Sequence, residues 1–104
     1  MFRHAVLIEF APAVGDVEIV SIVQATTGLP ARIPGVVAAV CGRDAGVTPG
    51  SSDFAIVVDL DDRSAYADYV AHPAHVELTS LLAPWVQSRT VVDFEVSRGG
   101  RGDE

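Results

Sequence analysis

The 104-residue sequence predicts a single α+β domain: a four-stranded antiparallel sheet with helices packed on one face. The period-two alternation at 2–10 and 53–61 is that of strands, and helical spacing falls between the strands instead of being collected at one end. No internal repeat and no linker divides the chain, so residues 1–97 form one domain and the Gly- and charge-rich 98–104 is expected to be a disordered tail.

The elements follow in order. Over 2–10, Phe2, His4, Val6, Ile8 and Phe10 point one way and Arg3, Ala5, Leu7 and Glu9 the other, which defines a first strand. Pro12 and Gly15 mark a loop. Asp16 is a fitting N-cap for a helix over 17–28, with Ile19, Ile22 and Val23 at core spacing. Gly28, Pro30, Pro34 and Gly35 break the chain into an irregular turn before a second strand at 36–43. The loop 44–52 leads to a third strand at 53–61, where Phe54, Ile56, Val58 and Leu60 share a face. A Pro disfavours α geometry in the residue before it and is comfortable at the first position of a helix. Pro73 therefore separates a helix over 62–71 from another over 73–84, the latter with Leu78, Leu81 and Leu82 inward. A last strand is expected at 88–97. The order β-α-β-β-α-α-β is the ferredoxin-like arrangement with its second helix split. It leaves one sheet face bare, expected to carry Ala5, Leu7, Ala39, Cys41, Val57 and Val91. That face is too apolar to stay wet, and a second copy stacking sheet on sheet would cover it.

Composition narrows the function classes. The hydrophobic fraction of 49% is high for so short a chain, which again favours a subunit interface. The formal net charge is −7, there is no Lys, and the seven Arg make no patch, all of which opposes binding to nucleic acid or to an anionic membrane. No apolar run approaches the roughly 18 residues of a membrane span, and the features of a signal peptide are missing. One Cys, Cys41, cannot form an internal disulfide, which fits a cytoplasmic protein and a packing role for that thiol.

The run Tyr69-Val70-Ala71-His72-Pro73-Ala74-His75 concentrates chemistry in a chain with three His and two Tyr. His72 falls at an N-cap and His75 in the first turn of the next helix, where the positive end of the helix dipole favours neutral imidazole able to accept a proton. Both residues could equally serve as cap or packing groups. His4, on the apolar face of a strand, is either a core histidine with one hydrogen bond or part of a pocket wall. Metal binding by His4, His72 and His75 lacks support, because no Cys or carboxylate shares a ligand spacing with them. Asp61-Asp62 reads as a helix-start cap. Gly99-Gly100-Arg101-Gly102 is no phosphate loop, since no helix follows it. Neither Cys41 nor any Ser is framed as a nucleophile.

His4, the Ile33-Pro34-Gly35-Val36 turn, Gly42, the Tyr69–His75 run and Val92-Asp93-Phe94 together resemble the stress-responsive dimeric α/β-barrel (Dabb) family, over nearly everything from His4 to Val96. The resemblance implies two subunits whose sheets pair into one barrel with the helices outside. Among its members are polyketide cyclases of the olivetolic acid cyclase type, with a pocket between sheet and helices. Their catalytic Tyr and His fall here on Tyr69 and His75, and their first-strand His on His4. They also carry a third-strand pocket His, where this chain has Phe54. No cofactor is implied, and nothing marks the haem or flavin sites of other dimeric α/β barrels.

Two functions follow. In one, the protein is a cofactor-independent cyclase or isomerase acting on a small, apolar, poly-carbonyl ligand. His75 is then the general base and Tyr69 the hydrogen-bond donor. Val6, Ile8, Phe54, Ile56, Leu78, Leu81 and Leu82 shape the cavity, with His4 and His72 beside them. In the other, the protein is a non-catalytic ligand-binding or stress-associated homodimer whose His-Pro-Ala-His motif is structural. A second acidic or basic group converging on His75 would favour the first.

Overall fold

In the computed structural model, which describes residues 1–97, β1 (Phe2–Phe10) runs through the middle of an antiparallel sheet ordered β2-β3-β1-β4. The other strands are β2 (Val36–Arg43), β3 (Phe54–Leu60) and β4 (Val86–Glu95). Four helices, α1 (Asp16–Thr27), α2 (Leu29–Arg32), α3 (Tyr66–Ala71) and α4 (Pro73–Leu82), accompany them. Phe2, Val6 and Ile8 of β1 join Phe54, Ile56, Val58 and Leu60 of β3 in the core, closed by Ile22, Leu29, Ile33, Tyr69 and Leu78 from the helical layer. The fold is the α+β, ferredoxin-like one that the element order predicts. The expected tail, 98–104, lies outside the described residues.

Local differences have physical causes. The cap of α1 is Gly15 and not Asp16: the Glu18 carboxylate accepts from the Gly15 N–H at 2.7 Å, while Asp16 pairs with Arg43. The irregular turn contains the one-turn helix α2 before Gly35, whose φ of +92° favours glycine and whose carbonyl accepts from the Asp61 N–H at 2.9 Å. The expected helix over 62–71 starts as a 3-10 turn, Arg63–Ala65, before α3. Helix α4 stops at Leu82, and β4 starts two residues earlier than expected because the Ala11 N–H donates to the Trp85 carbonyl and draws the chain back to the sheet.

The bare face is composed differently from the expectation. In β2 the register shifts between Val36, opposite Leu60, and Ala38, opposite Asp59, leaving Val37 as an extra residue. This bulge reverses the alternation, so Ala39 and Cys41 pair with Val58 and Ile56 and turn toward the helices. Val91 pairs with Val6 and shares that covered face too. The bare face keeps Ala5, Leu7 and Val57 and gains Val40, Val92 and Phe94. Leu7, Val40, Val92 and Phe94 are between 42% and 59% exposed, so this face remains an apolar patch. Its charged pair, Arg3 and Asp59, is closed by hydrogen bonds of 2.7 and 3.0 Å. No helix of the described residues is long and apolar enough to cross a membrane.

Candidate functional site

The site begins at the junction between α3 and α4. His72 adopts ψ 139°, as a residue before proline should, and its Nδ1 accepts from the Ala74 N–H at 3.0 Å. One turn on, the His75 Nδ1–H donates to the Val70 carbonyl at 3.0 Å, satisfying an acceptor at the end of α3. That bond fixes a tautomer in which Nε2 carries the free lone pair.

His4 of β1 reaches the same place from the sheet. The Tyr69 ring centroid lies 4.6 Å from that of His75 and 6.0 Å from that of His4, so the phenol stands between the two imidazoles. His4 Nδ1 is 2.5 Å from an Asp93 carboxylate oxygen, a contact that orients its ring; Tyr66 packs beside it. A second ionisable group thus converges on His75, although 71 positions separate His4 from it in sequence.

Against these side chains lies a cavity of about 410 Å³, between the covered face of the sheet and α4. Val6, Ile8 and Ile56 from the sheet and Leu78 and Leu82 from α4 give it apolar walls, and His4, Tyr69 and His75 give it a polar end. Three residues expected in the wall lie elsewhere. Phe54 is fully buried against Phe10, Leu81 packs on the core, and His72 is the helix cap. Sequence reasoning missed Thr79, the Val86–Arg89 segment and Asp93. Both Arg89 and Asp93 share the inward parity of β4 with Val91, a signal legible only once the strand's face is known.

Electrostatics separate the two central groups. Burial lowers the proton affinity of His75; the bond to Val70 works against this, and the charges of His4 and Arg89 reinforce it. Burial, with Tyr66 adding to it, pushes the Tyr69 phenol up to about 12, so it stays a hydrogen-bond donor. A neutral base beside a permanently protonated donor is an arrangement able to move a proton from carbon and stabilise the resulting oxyanion.

A ferredoxin-like domain with a tyrosine–histidine cavity beneath its helices defines the class. The chain belongs to the stress-responsive A/B barrel domain family, Dabb, whose model matches residues 2–96. It is similar to a dimeric ferredoxin-like protein of unknown function from Thermobifida fusca, 32% identical, over 91% of this chain and 90% of that one, with a TM-score of 0.83. A dimeric protein of unknown function and ferredoxin-like fold from Bacteroides fragilis is 26% identical over 91% and 95% of the two chains, with a TM-score of 0.72. The hydroxynitrile lyase of Passiflora edulis shares the fold at 15% identity, over 94% of each chain, with a TM-score of 0.82. No curated protein matches the chain.

Proposed function

We propose that this protein is a homodimer that binds a small, largely apolar carbonyl compound and catalyses proton transfer at a carbon between two carbonyls, the chemistry of a cofactor-independent cyclase or isomerase. The observation that carries this reading is the 4.6 Å approach of Tyr69 to His75 at the wall of the 410 Å³ cavity. His75 Nε2 takes the proton while Nδ1 stays bonded to Val70. Tyr69 donates to the carbonyl oxygen as charge develops there. The apolar wall holds the remainder of the ligand out of water.

The dimer part of the proposal draws on the apolar bare face and on relatives from Thermobifida fusca and Bacteroides fragilis that are described as dimeric. The one free thiol, Cys41, suits a cytoplasmic setting.

The test is solvent-deuterium exchange at the central carbon of medium-chain 1,3-dicarbonyl compounds, followed by NMR. The wild type should accelerate exchange, and His75→Ala should lose about 10²–10⁴-fold, the usual contribution of a general base. An unaltered rate in folded His75→Ala would refute the mechanism.

The alternative, a non-catalytic binder, is favoured by one observation: both motif imidazoles use Nδ1 to hold the helix junction. On that reading His75→Ala lowers the melting temperature and no dicarbonyl exchanges faster with the protein than without it.

A further inference from the structure

We infer that Arg89 is an anion-recognition residue of this cavity and that its ligand is an amphiphilic acid, with its carboxylate on Arg89 and its apolar body along the sheet. The inference rests on the cavity being the ligand site and adds the chemical class of what enters it.

Four of the five described arginines already face a carboxylate: Arg3 with Asp59, Arg32 with Glu77, Arg43 with Asp16 and Arg63 with Glu95. Arg89 is the exception among the described residues, and it lines the cavity. Its place in the sheet is built. Arg89 stands opposite Ile8, and the register of β4 then slips, so that Ser88 faces Glu9 and Val86 faces Phe10 with Gln87 extra. Such a bulge re-aims side chains, and here Gln87, Ser88 and Arg89 all reach the cavity wall.

The polar groups are therefore divided along β1. His4, with Asp93 opposite, stands at one end and Ile8, with Arg89 opposite, at the other. They stand four positions apart on the strand, about 13 Å. Val6 lies between them, with Ile56, Leu78 and Leu82 on the surrounding walls. A guanidinium presents parallel donors that match a carboxylate in a bidentate pair. One cation suits a singly charged head, and a dianionic phosphate would leave charge uncompensated in a chain of net charge −7. An acid held by Arg89 extends its chain toward Tyr69 and His75, which places a carbonyl far from the carboxylate at the base.

Isothermal titration calorimetry with octanoate and octanamide tests this without requiring turnover. Wild-type protein should bind octanoate about tenfold or more tightly than octanamide, as a charge-assisted bond implies. Arg89→Gln should erase that ratio, chiefly through loss of octanoate affinity, and Arg89→Lys should keep part of it. Equal binding of the two probes by the wild type, a ratio that survives in Arg89→Gln, or no binding of either probe would each overturn the inference. His75→Ala should keep the preference for the acid, so failure of the proton-transfer reading and failure of the anion reading appear in different measurements.

Discussion

Both faces of the sheet are apolar, but they treat their polar groups differently. On the covered face His4 is held by Asp93, while Arg89 faces no carboxylate among the described residues and lies beside the stretch where α4 leaves a cavity. On the bare face Arg3 and Asp59 close on each other through two hydrogen bonds, and what surrounds them is Ala5, Leu7, Val40, Val57, Val92 and Phe94. A face that leaves one guanidinium bordering a void is suited to a ligand that supplies its partner. A face whose central Arg3 and Asp59 satisfy each other offers flat apolar contact around them, which is what a second sheet requires.

Adjacent residues of β1 give the largest contrast. Ile8 is 1% exposed on the covered face and Leu7 is 45% exposed on the bare one. Ile8→Glu should lower the melting temperature, because a carboxylate would replace buried apolar surface, offset only in part by Arg89 opposite it. Leu7→Glu should leave a folded chain that no longer associates, since in the proposed dimer the same charge is buried against the partner sheet at a cost of about 3–5 kcal/mol. Size-exclusion chromatography with light scattering should give about twice 10.9 kDa for the wild type and the single-chain mass for Leu7→Glu. A Leu7→Glu protein that still dimerises removes the bare face from the interface.

Within the covered face, Tyr69→Phe separates hydrogen bonding from packing. The ring fills the space between His4 and His75, so the variant should fold normally. It should lose exchange activity by on the order of 10²-fold, less than His75→Ala, because one donor to developing charge is removed and the base remains. A loss as deep as that of His75→Ala would make the phenol itself the proton-transferring group.

The strands that alternated without interruption were legible from residues alone. In β1 and β3 the period-two pattern identified the inward set, His4 and Phe54 included. Where bulges intervene the pattern misleads: one extra residue at Val37 reverses the facing of Ala39 and Cys41, and nothing in Val36-Val37-Ala38-Ala39-Val40 marks it. In β4 the consecutive valines Val91 and Val92 conceal which parity faces inward, and with it the positions of Arg89 and Asp93. The Tyr69–His75 run was readable because Pro73 dictates the break between helices, and the break positions His72 and His75. The approach of His4 depends on pairing across the whole chain, which local spacing does not encode.

His72 and His75 sharpen the comparison at smaller amplitude, since both stand at one junction and only His75 borders the cavity. His72→Ala removes the acceptor for the Ala74 N–H and should cost about 0.5–2 kcal/mol, the range of a lost N-cap, with octanoate affinity unchanged. Thermal denaturation beside calorimetry checks both halves. A variant that keeps its melting temperature and loses binding would return His72 to the site.

The smallest expected effect is in pH. Burial holds the proton affinity of His75 below its ordinary 6.5, so the folded chain binds fewer protons than the unfolded one as that value is approached. The stability associated with neutral His75 is therefore present above pH 6.5 and is lost as the pH falls from there through the depressed folded value. For catalysis the same shift keeps the base unprotonated into mildly acid solution. The rising limb of the exchange rate should have its midpoint below 6.5, and ionisation of Tyr69 should cause no decline until the pH nears about 12. Arg89 is one of the charges opposing protonation of His75, so Arg89→Gln should move that midpoint upward, toward 6.5. An upward shift in Arg89→Gln without any change in His72→Ala would tie the electrostatics of the base to the cavity and not to the helix junction. The reverse pattern would assign His75 to the junction.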